Sequence, residues 1–388
     1  MADVDVAIVG AGAGGALAAA MLGRAGYRVC LIDPAREVGS QFRCEKLEAA
    51  HIGALRRAGL LDTIAGQGER YDTIWIARQG HLVERRPRTE YGFDYAQLVT
   101  ALRNSVPETV ERIVDQVTAV TPGADASTLT LAEGQALSAR LVVLATGLQP
   151  ALAESMGMSR RVVSANHSIS IGFDVAPVGR TRFDFDALTY FGEHPEHRVS
   201  YITFFPVQGH VRANLFVYRD RNDPWLADFR RDPVAAIGEV LPRLHKLTGA
   251  FEILDTPRMR PVDLVDTVGL DKPGVVLIGD AFSTACPVSG TGAAKALVDA
   301  ERLCNGFVPG WLKQDEITAA DVAGFYADPE KFASDQYSRN LSLSAKRLAL
   351  EPSLAWEAYR WVRFAGSIGR NVLASLRQPH HPHGAARS

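Results

Sequence analysis

Apolar runs and polar breaks give the chain three textures. The first opens on Val4–Val9, an apolar run broken only by Asp5, such as a parallel strand buried on both faces shows. It predicts an alanine-rich helix to about Ala25, a strand over Arg28–Ile32, and a helix from about Lys46 to Ala58. Tyr71–Ile76 and His81–Arg86 alternate like an antiparallel pair joined at Gln79-Gly80. A helix over Asp94–Arg103 puts Leu98 and Leu102 on one face. Strands follow around Val114–Val120 and Thr128–Leu131, and Leu141–Leu144 reads as a third buried parallel strand ending in Ala145-Thr146-Gly147.

The second texture runs from about Arg160 to Asp266. Ser168–Val175, Thr189–Phe191, Val199–Phe205 and Arg212–Tyr218 alternate as antiparallel strands rich in Phe, Tyr, Ile and Val, with Gln208-Gly209-His210 as a turn between the last two. A helix over roughly Pro233–Leu247 and a strand over Pro257–Leu264 lead back to an apolar run, Val275–Ile278. The third texture is helical. A capping-box-like start at Thr318 and Asp321 opens a helix over about Asp321–Leu350, and another covers Ser353–Leu376. The tail from Gln378, with three histidines, proline and glycine, lacks core residues and reads as mobile; no metal site is expected.

Composition narrows the class. The 388 residues are 47% hydrophobic and 22% charged with net charge -2, as in a globular enzyme with no pull toward nucleic acid or anionic lipid. Cys30, Cys44, Cys286 and Cys304 show no paired spacing, which predicts reduced thiols and a cytoplasmic setting. Asp3 and Asp5 stand at the chain start where a signal peptide would be basic, and no run approaches membrane-spanning length.

Two glycine motifs carry the chemistry. After the first strand comes Gly10-Ala-Gly12-Ala13-Gly14-Gly15, with Asp33 at the tip of the next strand. Gly10 permits the tight turn, Gly12 admits a pyrophosphate to the helix start, Gly15 lets helix pack on strand, and Asp33 suits an adenosine ribose. This half is equally compatible with NAD and FAD. Arg43 lies at the following loop–helix junction, within reach of a phosphate. The second motif is Gly279-Asp280, then Pro287, then Gly290-Thr291-Gly292 opening a helix to Leu303. A carboxylate at a strand tip suits polyol hydroxyls, and a glycine-rich helix start favours a group that becomes anionic. Reduced flavin has both; an ordinary strand–loop–helix crossover would look the same without the first motif.

Together these residues resemble the class A flavoprotein monooxygenases, the para-hydroxybenzoate hydroxylase-like group. The resemblance covers most of the chain and rests on Gly10–Gly15 with Asp33, on Arg43, and on Gly279, Asp280, Ala281, Pro287, Gly290 and Gly292 at the family spacing. It implies an α/β fold. A Rossmann-like FAD-binding domain (1–70, 94–160, 267–310) would carry an inserted antiparallel-sheet substrate domain (71–93, 161–266) and C-terminal helices (311–377). It implies FAD held at Gly10, Gly12, Ala13, Gly14, Gly15, Asp33, Arg43, Thr146, Gly147, Gly279, Asp280, Pro287, Gly290, Thr291 and Gly292. Asp280 would hold the ribityl chain, Pro287 would lie over the flavin face, and the Gly290–Gly292 backbone would meet the N1/C2 edge. The implied reaction inserts one oxygen atom from O2 into an apolar aromatic or secondary-metabolite molecule by way of a flavin C4a-hydroperoxide. Phe204, Phe216 and Tyr218 are the candidate substrate contacts.

The chain departs from that pattern twice. Ser283 stands at the family's usual histidine, and Thr146-Gly147 replaces an Asp-Gly pair linked to the nicotinamide cofactor. The electron source is therefore open between NAD(P)H and a separate reductase. A reductase or dehydrogenase like the geranylgeranyl reductases and a flavin halogenase remain alternatives, although Trp75-Ile76-Ala77 does not supply the halogenase W-x-W-x-I-P motif. No catalytic base is named by the sequence; His167, His210 and Tyr218 are candidates. Cys44 and Cys286 fall near cofactor segments, where a redox role and a buried inert thiol are both open.

Overall fold

The computed structural model of the chain describes residues 2–39, 43–356, 358 and 362. Val4–Val9 is the centre of a seven-stranded sheet, flanked by parallel strands Val29–Ile32 and Ala136–Leu144. The strand Ala136–Leu144 changes partner along its length. Residues 136–139 pair antiparallel with Ser127–Leu131, and residues 142–144 pair parallel with Val275–Leu277. That second pairing seats Gly279-Asp280 beside the tip of Ala136–Leu144, one strand across from the tip of the first strand.

The central strands are buried on both faces. One face packs against the helices Ala13–Arg24, Tyr95–Asn104 and Gly292–Arg302 through Ile8, Leu17, Leu102, Leu141 and Leu297. The other holds Ala7, Cys30, Val142, Val275 and Leu277.

A second, nine-stranded sheet carries Ser159–Pro177, Ala187–Phe191, Val199–Val207, His210–Val217, Phe251–Ile253 and Arg258–Val268, extended by Glu69–Arg78, His81–Asp94 and Cys44–Leu47. Its outer face is closed by the helices Trp225–Arg231 and Pro233–Val240 over Phe173, Phe204 and Leu215. Its inner face turns toward the first sheet.

Three expected elements differ. The helix expected from Lys46 starts at Ala49, because Cys44–Leu47 pairs antiparallel with Tyr91–Asp94 and Glu48 caps the helix reciprocally with His51. The helix expected over Pro233–Leu247 ends at Val240. Pro242 has no amide proton to continue it, and a separate turn covers His245–Thr248. The helix expected over Asp321–Leu350 is two, Ala319–Tyr326 and Pro329–Leu350. Asp328 caps the second by accepting from Lys331 N, with Pro329 at its first position. Of the helix expected over Ser353–Leu376, most lies outside the described residues, as does the tail from Gln378. Among the described residues no helix is long and apolar enough to cross a membrane.

Candidate active site

One cavity of about 1190 Å³ runs between the two sheets. Its first end is built by the glycine turn. Gly10 has φ +100°, and a Cβ there would sit 2.5 Å from the Ala145 carbonyl oxygen; a Cβ on Gly15 would sit 1.9 Å from Gly10 O. These two glycines are dictated by contact. Gly12 is different: the nearest atom to its Cβ would be the Tyr95 hydroxyl at 3.7 Å, so its small size leaves open cavity.

The helix Ala13–Arg24 begins there with no side-chain cap and no acidic residue in its first turn, so its first amides face the cavity with the Tyr95 hydroxyl against that of Ala13. Asp33 accepts from Ala11 N (2.7 Å) and Ala35 N (2.8 Å) and pairs with Arg103 (3.4 Å). The carboxylate is thereby fixed at the cavity rim. The Arg43 guanidinium lies 3.9 Å over the Tyr95 ring and lines the same wall.

The middle is built by the second motif. Gly279 takes φ +60°, and its N–H donates to buried Asp299 Oδ2 at 2.8 Å. Asp280 lines the cavity beside Gly147, and Arg160 ties the two loops by donating to Gly147 O and Asp280 O, each at 3.2 Å. Burial pushes the Arg160 pKa down against the pull of Asp280. Burial and then repulsion from Arg43 lower that of Arg260, and burial raises Glu45.

The helix Gly292–Arg302 also starts without a side-chain cap and without an acidic first turn. The Thr291 hydroxyl is engaged sideways by Ser289 and Ser338, each at 2.6 Å. Two uncapped helix starts thus converge on one cavity, with carboxylates at Asp33 and Asp280. A long ligand with an anionic centre, hydroxylated linkers and an edge that turns anionic matches that arrangement, and FAD is such a molecule.

Thirteen of the fifteen residues expected to hold the cofactor line the cavity; Gly15 and Thr291 stand behind the wall and shape it. The expected substrate contacts divide. Phe216 lines the cavity. Phe204 does not. It is wholly buried on the opposite face of its strand, against Phe183, Phe185 and Phe251. Tyr218 is buried behind the Pro287 loop with Cys286 and Val288, edge-on to His167.

None of the three candidate bases reaches the cavity wall. His167 is buried with its pKa pushed down to about 4 by burial, and His210 sits at a strand turn near Asp174 (3.4 Å). Burial raises the Cys44 and Cys286 thiols, whose nearest polar partners are Asp94 (3.0 Å) and Ser168 (3.2 Å), so both stay protonated. That favours inert thiols over redox groups. Ser283, at the family's histidine position, donates to Asp266 at 3.0 Å.

Several wall residues escaped sequence reading: Arg160, Arg260, Glu45, Tyr201, Thr203 and Asn214. Tyr201 and Thr203, and Asn214 and Phe216, are two apart on neighbouring strands, which is the signal that could have found them.

The model of the FAD binding domain family matches residues 3–308. The 6-hydroxynicotinate 3-monooxygenase of Bordetella bronchiseptica is 25% identical over 333 residues, spanning 78% of this chain and 82% of that protein. Among solved structures, p-nitrophenol 4-monooxygenase PnpA from Pseudomonas putida superposes with a TM-score of 0.76 at 18% identity, covering 97% of this chain and 98% of that one. An FAD complex of Klebsiella pneumoniae HpxO gives 0.71 at 17% identity, covering 96% and 97%.

Proposed function

The chain belongs to the FAD binding domain family, and from that premise we propose that it is an FAD-dependent monooxygenase of the class A type, acting on an aromatic small molecule. The observation that carries this reading is the continuity of the cavity. It leads from the Gly10–Gly15 turn, past Asp280, to a sheet wall of Tyr201, Thr203, Asn214 and Phe216. Such a path holds a dinucleotide at one end and leaves room for a second molecule at the other.

When bound, the flavin supplies the oxygen chemistry, activating O2 once reduced. The chain's own residues bind and orient. The Ala13 helix start and Arg43 would face the phosphates, Asp33 would accept from a ribose, and Asp280 would accept from the ribityl chain. The Gly292 helix start would stabilise negative charge at the flavin edge. Pro287 and the Tyr201–Phe216 pair, ring centroids 4.9 Å apart, form apolar walls that exclude water where the substrate docks. Electrons come from NAD(P)H or from a separate reductase.

The test is oxygen uptake. Purified protein should be yellow and release FAD on heating. With a reductant and an aromatic substrate it should consume O2 and place one labelled oxygen atom in the product. Substrate turnover without O2 consumption would make it a reductase or dehydrogenase, and a strict halide requirement would make it a halogenase.

A further inference from the structure

We propose that Thr203 and Asn214 form the recognition patch for the substrate, and that they select an aromatic ring carrying a neutral hydrogen-bonding edge such as a hydroxyl or lactam. The proposal rests on the reading of this cavity as a monooxygenase site and names the substrate class within it.

Thr203 and Asn214 are direct cross-strand partners in the sheet, so their side chains stand together on one face, and both line the cavity. The next row toward the flavin loop is the pair Tyr201 and Phe216. Thr203 is 2% exposed, and its hydroxyl has no hydrogen-bond partner in the protein. A buried hydroxyl without a partner is costly. A ligand group at this spot would satisfy it.

Asn214 Oδ1 receives only a long contact from Arg212 Nε, 3.4 Å, so its amide can serve the same group. A donor–acceptor pair side by side matches a substituent that both gives and takes a hydrogen bond. Tyr201 is not available for this, because its hydroxyl donates to Val288 O at 2.5 Å; it contributes its ring instead.

Charge decides against a carboxylate at this end. Arg212 lies beneath Asn214 but pairs with Asp174 at 2.9 Å, and Lys46 on the adjoining wall lies 3.9 Å from Glu48. Arg212 and Lys46 thus have their counter-ions, and Arg260, in the row of Ser170 and Phe216, faces Arg43 and Asp280 at the other end of the cavity. An anionic substituent at Thr203 and Asn214 would be desolvated near Glu48, which also faces Tyr201, with Arg212 and Lys46 already paired.

Three bicyclic probes of similar size test this by perturbation of the bound FAD spectrum, which reports binding without turnover: 2-quinolone, 2-naphthoate and naphthalene. Wild-type protein should bind 2-quinolone tightest. Thr203→Val and Asn214→Leu should each weaken 2-quinolone about tenfold and leave naphthalene within about twofold, and Thr203→Ser should restore binding.

Thr203→Val should also leave the melting temperature of the ligand-free holoenzyme unchanged or raised, since it removes an unsatisfied group. A hydroxyl with a merely structural role would instead lower it. Tightest binding of 2-naphthoate, failure of all three probes to bind, or undiminished 2-quinolone binding in both variants would overturn the proposal. Oxygen uptake is recorded separately. Lost probe discrimination with uptake intact faults the patch, whereas intact discrimination without uptake faults the monooxygenase reading.

Discussion

Asp299 should prove to be the buried anchor of the flavin loop. Its side chain is fully buried; Oδ2 accepts from Gly279 N at 2.8 Å and faces Lys295 at 3.3 Å, while Oδ1 accepts from Lys331 at 2.9 Å. Both lysines also reach Asp335, at 3.1 and 3.0 Å, and both lie over the Phe282 ring. The cluster is neutral as built: two cations, two carboxylates. It fastens the helix Pro329–Leu350, which lies beyond the span matched by the family model, to the turn that presents Asp280.

Asp299→Asn removes the charge and keeps an oxygen for Gly279. Two buried lysines then share one carboxylate, and breaking such a pair costs about 3–5 kcal/mol. Asp299→Ala also orphans the Gly279 amide, which adds about 1–3 kcal/mol. Against a total stability of roughly 5–15 kcal/mol, the alanine variant is close to unfolded without FAD.

Urea unfolding of the FAD-free proteins gives the first quantity. FAD titration gives the second, and the alanine variant should bind more weakly than the asparagine one. The lysines hold the Asp299 pKa below the usual carboxylate range. Its stabilisation is therefore present above the unfolded carboxylate pKa and is lost as pH falls through the folded one. The gap between wild type and Asp299→Asn should narrow in acid. An asparagine variant within about 1 kcal/mol of wild type at neutral pH, as for an exposed pair, would refute the anchoring argument.

Asp33→Ala strips the acceptor from Ala11 N and the counter-charge from Arg103, and should weaken FAD by about 1–3 kcal/mol while sparing FMN, which lacks the adenosine ribose; equal loss in parallel titrations would move Asp33 away from that ribose. His51 and His167 are both held near pKa 4 by burial against 6.5 ordinarily, so the unfolded chain binds more protons between those values. Stability should fall as pH drops from about 6.5 to 4, by about 3 kcal/mol per histidine, and His167→Asn should flatten that slope in urea titrations across the range. Thr146-Gly147 lines the cavity without a carboxylate, so NADH and NADPH alone should reduce the flavin slowly compared with a supplied reductase; substrate-stimulated reduction by either at many turnovers per minute in stopped flow would reverse this.

The glycine-turn end of the cavity was legible because its constraints are local. Gly10 and Gly15 are forced by backbone atoms within a few residues or one strand away, and the strand–glycine–helix order exposes that pressure directly. Asp280 was legible as a carboxylate just past a short apolar strand, and it lines the cavity. Arg160 was not. It acts by bridging Gly147 O and Asp280 O, and nothing local marks an arginine whose two acceptors lie 13 and 120 residues away. The ion cluster around Asp299 was equally hidden, because Lys331 and Asp335 reach it from a helix that sequence reading ran through Asp328 without a break. The Asp328-Pro329 pair was the missed sign of a new helix start.

The substrate wall shows a subtler failure, and the missing step was available. Counting aromatics on Val199–Phe205 and Arg212–Tyr218 put Phe204 and Phe216 on one surface. The hairpin joining these strands has Gln208-Gly209 as a two-residue loop, with Val207 opposite His210. That loop fixes the register: Phe204 faces Ala213, Thr203 faces Asn214, and Tyr201 faces Phe216. Partners across an antiparallel pair point the same way, so odd positions on the first strand share a face with even positions on the second. Phe204 and Phe216 must then lie on opposite faces. The choice between faces follows from composition. Ile202, Phe204, Ala213 and Leu215 are uniformly apolar and belong under the helices, whereas Tyr201, Thr203, Asn214 and Phe216 mix rings with hydrogen-bonding groups. A buried sheet face that keeps a threonine hydroxyl and an asparagine amide is better suited to meeting a ligand than to forming core.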